Sequence, residues 1–176
     1  FLIARRTVTP LRRVVSDTLS KDAPLTAGPL RILFLAAAPT DQVQLDYNRE
    51  EERILQAVNR LGKKVSLFVA DTGGIEELEE LLSRCQPHIV HLTGHGLQHG
   101  DTASFAFEDE RGHTRSISAQ RMAELFRGSS VRLVFLNGCQ TSRAAVSGLC
   151  QALVTADVPL ALGWAASVID DSATDF

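Results

Sequence analysis

An α/β fold with a mostly parallel sheet between helices, a three-layer sandwich, is the class that this 176-residue chain predicts. Three observations predict it. Apolar runs of strand length recur along the chain, they alternate with segments of helical periodicity, and the runs are hydrophobic on consecutive residues. Consecutive apolar residues mark strands buried on both faces, and strand–helix alternation marks right-handed βαβ units. Residues 30–37 form the first such run. Residues 48–61 follow as a helix, with Ile54, Leu55, Val58 and Leu61 at helical spacing. Glu50, Glu51 and Glu52 fall in its first turns, where the macrodipole favours anions, and Gly62 ends it. Residues 65–70 are a second strand, and 75–85 a second helix with Leu78, Leu81 and Leu82 facing in. A third strand is expected over 88–93, a fourth over 131–136 and a fifth over 159–164. Between the third and fourth lie a hairpin, 104–108 returning to 117 through a turn at 109–112, and a helix over 118–126. Residues 141–154 make the last helix.

The first 29 residues read differently. Residues 1–30 carry five basic and two acidic groups, while the rest carries 13 basic and 19 acidic ones. Residues 11–19 suit a short helix and 21–29 a linker of turn formers, so 1–29 are expected to be the tail of an upstream region and 30–176 the domain proper. A basic surface helix is the plainer alternative. Arg5 and Arg6 interrupt any signal-peptide core, and no apolar stretch of about 18 residues marks a membrane span. A net charge of −3 without a dense basic run argues against a nucleic-acid partner. Three cysteines, Cys85, Cys139 and Cys150, are an odd number without paired spacing, which suits a reducing, cytoplasmic compartment.

In open parallel sheets, chemistry collects outside the carboxyl ends of the strands. The third strand runs into Thr93-Gly-His-Gly96 and the fourth into Asn137-Gly-Cys-Gln-Thr141. Each is expected to be a glycine loop, and the two deliver an imidazole and a thiol to the same edge of the sheet. A cysteine beside a base, and just before a helix, is set up for thiolate formation. The N–H groups of Gly96 and Cys139 are the candidate oxyanion donors. Alone, Cys139 reads as a small buried hydrophobe, as Cys85 and Cys150 do, and His95 alone as a turn residue. Matching strand ends favour the pair. His88, His91, His95 and His99 have helical metal-site spacing, but Ile89, Val90 and Leu92 make that run a strand, so no metal is expected. The loops 71–74 and 94–96 lack a complete phosphate-binding pattern, so no nucleotide cofactor is expected. Glu76, Glu77, Glu79 and Glu80 read as a solvated helix face.

Six segments in order resemble the CHAT domain, a caspase-like and separase-related family. They are Ile32-Leu-Phe-Leu-Ala-Ala-Ala-Pro39, Asn48-Arg-Glu-Glu-Glu-Arg-Ile54, Pro87-His-Ile-Val-His-Leu-Thr-Gly-His-Gly96, Phe105-Ala-Phe-Glu-Asp-Glu-Arg-Gly112, Leu133-Val-Phe-Leu-Asn-Gly-Cys-Gln-Thr141 and residues 162–176. The resemblance implies a cysteine endopeptidase of caspase–hemoglobinase fold, with His95 as general base and Cys139 as nucleophile. His95 precedes Cys139 by 44 residues, near the roughly 50 of caspases. Gly96 and Cys139 would supply the oxyanion hole. His91 matches a histidine that supports the site. Asn137 and Asp170 are substrate-pocket candidates, with Asp171 and Asp175 competing for the second role. Metacaspase-like relatives with a basic preference carry Asp at the position of Asn137, so the preference here stays open. Gly138 and Thr141 stand where Ala and Ser are commoner. Family members continue into a small-subunit portion that this chain is expected to lack. The implied partners are a protein substrate, an upstream sensor or repeat domain that gates activity, and that small-subunit portion, with a role in bacterial antiviral defence. A non-catalytic pseudo-protease that binds a partner is the alternative, and a thiol amidase a further one.

Overall fold

The computed structural model describes residues 28–44, 46–137 and 143–163. The expected helix over 11–19 and residues 21–27 of the linker expected over 21–29 lie outside the described residues, as do Gly138, Cys139, Thr141, Asp170, Asp171 and Asp175. The described residues form two sheets and four α-helices. In chain order these are β1 (Leu30–Ala36), α1 (Tyr47–Leu61), β2 (Val65–Val69), α2 (Ile75–Cys85), β3 (Ile89–Thr93), β4 (His95–His99), β5 (Thr102–Glu108), β6 (Thr114–Ser118), α3 (Ala119–Phe126), β7 (Leu133–Asn137), α4 (Arg143–Thr155) and β8 (Leu160–Gly163).

The main sheet runs β2-β1-β3-β7-β8, every neighbouring pair parallel. The chain steps from β1 outward to β2, then reverses and proceeds through β3 and β7 to β8. Right-handed crossovers with that reversal put α1 on one face and α2, α3 and α4 on the other. Packing agrees. Leu33, Leu35, Val90, Leu92, Val134 and Leu136 point to the second face and share one core with Leu78 of α2, Met122 and Phe126 of α3, and Leu149 and Leu153 of α4. Each of these side chains contributes roughly 1.5–3 kcal/mol through burial. The alternate positions face α1, where Phe34, His91 and Phe135 stand in register across three strands. The molecule is thus the expected α/β sandwich of three layers, with helices on both faces of the sheet.

The reversal makes β1 and β3 the topological switch point of the sheet, the place outside whose carboxyl ends open α/β sheets collect their chemistry.

Local chemistry explains the element ends. Asp46 caps α1 by accepting from the Arg49 N–H, and Gly62, at φ 56°, closes it by donating its N–H to the Val58 carbonyl. Ser118 caps α3 through the Arg121 N–H. The turn between β5 and β6 is an Asx turn: Asp109 Oδ1 accepts from the N–H groups of Arg111 and His113, both at 2.8 Å.

Three expectations need correction. Leu55 and Leu61 are exposed rather than core-facing, because α1 lies on the sheet through Ile54 and Val58, which are half-buried. Residues 94–96 do not form an open loop: after Gly94 the chain passes at once into β4, which pairs antiparallel with β5. The segment His95-Gly-Leu-Gln-His99 has no apolar alternation, so its strand comes from pairing with the Phe105 strand rather than from its own pattern. Glu77, placed on a solvated face, accepts from the N–H groups of Asp71 (2.7 Å) and Thr72 (2.6 Å) and from the Thr72 hydroxyl. Those N–H groups of the 71–74 glycine loop therefore already have a carboxylate. Burial works to raise the Glu77 pKa, but these donors outweigh it and hold the group below the ordinary Glu value.

Candidate active site

The site is built on β3 and β7, which are neighbours with Thr93 opposite Asn137. Their carboxyl ends open on the same edge of the sheet, and the Gly94 N–H donates to the Asn137 carbonyl at 3.0 Å. The chain then diverges, β3 into Gly94-His95 and β7 toward Cys139 two residues on.

Gly94 is glycine for reasons of space. A Cβ there would come within 2.6 Å of Phe105 Cζ and 3.1 Å of the Ala37 carbonyl oxygen. Phe105 is itself buried in the main core. The turn into His95 is therefore pressed directly on the core, which fixes where the imidazole starts.

His95 is buried, and its Nε2 lies 2.8 Å from the Val43 carbonyl oxygen. A carbonyl can only accept, so Nε2 carries the proton. In the neutral ring the basic lone pair is then on Nδ1. Val43 belongs to the segment that leaves β1, and that segment is tied down at several points. Thr40 donates its N–H and its hydroxyl to the Gly112 carbonyl at 2.9 and 3.0 Å. Asp41 Oδ1 accepts from the N–H and hydroxyl of Thr114 at 2.9 and 2.7 Å. Gln42 Nε2 donates to Thr114 Oγ1 at 2.9 Å. Glu108 Oε1 accepts from the Ala38 N–H at 2.8 Å. The β5–β6 hairpin thus holds the carbonyl that orients His95.

The other predicted residues fall as follows. Gly96 lies within β4, opposite Phe105 in the ladder. Asn137 is the last residue of β7, is buried, and donates from Nδ2 to Glu50. His91 faces α1, its ring edge-on to Phe34 and Phe135 with centroids 5.4 and 4.8 Å away. Its Nε2 is 2.6 Å from Glu50 Oε1. His88 and His99 sit before β3 and at the end of β4, away from one another by strand direction. Among the described residues no three His, Cys, Asp or Glu side chains are grouped to hold a metal.

Glu50 is the residue that sequence reasoning missed. Grouped there with the dipole-favoured acids of the first turn, it is instead buried and turned to the sheet, where it also accepts from Thr93 Oγ1 at 2.7 Å. A signal for this exists. Glu50 precedes Ile54 by four residues and Val58 by eight, so it extends the helix's inward stripe by one turn.

A mostly parallel five-stranded sheet with helices on both faces agrees with a caspase-like three-layer sandwich. The chain belongs to the CHAT domain family, whose model matches residues 1–176, and this is a caspase-like, protease-related family. Among solved structures, protein GSU0716 from Geobacter sulfurreducens is similar, at 14% identity and a TM-score of 0.42. The match covers 63% of this chain and 51% of that one, so the chain spans about half the length of that protein. No curated protein matches the chain in sequence. No helix among the described residues is long and apolar enough to cross a membrane.

Proposed function

We propose that the chain is the core of a cysteine endopeptidase in which His95 is the general base and Cys139 the nucleophile. The observation that carries this reading is the His95 Nε2–Val43 carbonyl bond at 2.8 Å. It leaves Nδ1 as the basic nitrogen, at the end of the strand adjacent to the one that leads to Cys139.

In the proposed reaction Nδ1 takes the thiol proton, and the thiolate attacks the carbonyl carbon of a peptide bond. The oxyanion is held by the N–H groups of Gly96 and Cys139. The imidazolium returns its proton to the leaving amine, a thioester remains, and water activated by His95 hydrolyses it. Asn137 and Asp170 are proposed to shape the substrate pocket. Residues 30–176 are proposed as the protease domain, gated by a sensor or repeat domain. A cytoplasmic role in antiviral defence extends the family resemblance. The buried free thiols of Cys85 and Cys150 are in keeping with a reducing compartment.

The test compares Cys139→Ala and His95→Ala with the wild type on a library of protein-derived peptides. Loss of cleavage by Cys139→Ala is expected, and a fall of roughly 10²–10⁴ for His95→Ala. Undiminished cleavage by either variant would sink the protease reading and leave a binding module.

A further inference from the structure

We propose that Glu50 is the positioning residue of this site: its buried carboxylate clamps the carboxyl ends of β3 and β7 together, the ends from which the chain continues in sequence to His95 and to Cys139. The inference deepens the protease reading above and rests on it.

Among the described residues, α1 buries a single side chain, and that side chain is Glu50. A helix ordinarily attaches to a sheet by apolar residues; this one sends a carboxylate inward. Burying a carboxylate is costly unless it is hydrogen-bonded from several sides. Here the donors come from two strands at once. His91 Nε2 (2.6 Å) and Asn137 Nδ2 meet Oε1, and Thr93 Oγ1 (2.7 Å) meets Oε2. Thr93 and Asn137 are the last residues of their strands and are direct register partners. Each is two residues before a reacting group, Thr93 before His95 and Asn137 before Cys139. His91 is fixed in turn between the edges of Phe34 and Phe135. The Asn48-Arg-Glu-Glu-Glu-Arg53 segment, which the dyad chemistry leaves without a use, thereby acquires one.

The carboxylate bridges the side chains of Thr93 and Asn137, so its loss frees these two strand ends to turn and displaces the residues that follow them, while the backbone ladder between β3 and β7 persists. A displacement of about 1 Å costs on the order of 100-fold in rate. Glu50→Gln keeps the shape, with its oxygen toward His91 and Asn137 and its amide toward Thr93, whose hydroxyl can turn to accept. Glu50→Ala removes every acceptor. Val58→Ala loosens α1 without touching the strand ends.

Each variant, with wild type, is assayed for peptide cleavage, for the pH profile of Cys139 alkylation by iodoacetamide (peptide-mapped by mass spectrometry), and for the amide NMR shifts of Gly94, His95 and Asn137. Expected are a fall in kcat of about 100-fold for Glu50→Ala with KM little changed, an alkylation profile moved toward that of an ordinary thiol, and substantial rescue in Glu50→Gln. Val58→Ala should lower the melting temperature without moving the alkylation profile. If Glu50→Ala does not fold, Thr93→Val, which removes the β3 hydroxyl donor and leaves Glu50 in place, carries the test, with the Gly94, His95 and Asn137 amides expected to shift. Should wild type show an activated Cys139 and the Glu50 variants keep both kcat and the profile, the clamp is overturned and the protease reading stands. An ordinary thiol profile in wild type overturns the protease reading instead. The clamp is then judged by the three amides, and unmoved shifts in Glu50→Ala, or in Thr93→Val where that stands in for it, overturn it.

Discussion

The turn between β3 and β4 is decided by one missing methyl group. Gly94 carries no unusual φ requirement; what it supplies is room for the Phe105 ring and the Ala37 carbonyl. A Cβ at 2.6 Å from Phe105 Cζ cannot be absorbed by a side chain that is 1% exposed and packed against Phe107. Gly94→Ala should therefore cost about 1–3 kcal/mol in urea denaturation, the usual range for overpacking. It should also slow peptide cleavage, since His95 is the next residue. Phe105→Leu shortens the obstructing ring, so in the double variant the destabilisation should be less than the sum of the two. Strict additivity in that cycle would show that the contact does not set the turn. The same close packing explains why Gly148 of α4 faces Ala103 of β5, where a Cβ would stand 2.6 Å from the alanine methyl.

At the scale of elements, the segment between β1 and α1 is the part on which His95 depends most. Its anchors are side-chain hydrogen bonds to the β5–β6 hairpin, and Thr114 is the centre of three of them. Thr114→Val removes the hydroxyl and leaves only the backbone N–H for Asp41. The two lost hydrogen bonds, one exposed and one partly buried, contribute roughly 1–3 kcal/mol together, so the fold should persist while the Val43 carbonyl loosens and kcat falls several-fold. Acid offers an independent probe. The Thr114 hydroxyl is the leading cause that holds the Asp41 carboxyl below its ordinary value. The link is therefore fully present above about 3.9 and is lost only as pH falls through the lowered value. Amide exchange at Thr114 should stay slow down to that range and then quicken, and Asp41→Asn should remove the dependence. Much of the element order was legible in the chain because Leu33–Leu35 and Val134–Leu136 are unbroken apolar runs and Ile89, Val90 and Leu92 interrupt theirs only at His91. Strand β4 was not, since His95–His99 has neither alternation nor β-branched residues and owes its pairing to a distant strand. Nor could the inward turn of Glu50 be separated from the dipole preference of Glu51 and Glu52 without knowing which face of α1 meets the sheet. The placing of α1 alone on one face was equally hidden, because strand order arises from long-range pairing.

Across the whole molecule, β3 separates stability from chemistry along its length. Its four nearby histidines have different surroundings, and only those at the carboxyl end belong to the site. His88, just before the strand, is buried at the opposite end and ties three strands together. Its backbone N–H donates to the Arg31 carbonyl, and its own carbonyl accepts from the N–H groups of Arg132 and Leu133. Its ring Nδ1 accepts from the Arg31 N–H at 3.2 Å, which places the ring proton on Nε2. Burial, and then the nearby Arg31 and Arg132 guanidinium groups, hold its pKa below the ordinary histidine value. The native chain thus binds a proton at His88 less readily than the unfolded chain does. The stability contributed by neutral His88 is present above about 6.5 and is lost as pH falls through the lowered value. Urea midpoints measured from pH 7.5 down to pH 5 should decline in the wild type. His88→Asn, whose Oδ1 can stand in for Nδ1 as the acceptor for Arg31, should start lower but decline less. Equal slopes would show that the acid limb arises elsewhere. Cleavage activity in the same variant should keep the wild-type pH profile, because His95 and its Val43 partner lie at the far end of the strand. A profile that shifted with His88→Asn would mean that the two ends of β3 are coupled through the sheet rather than independent.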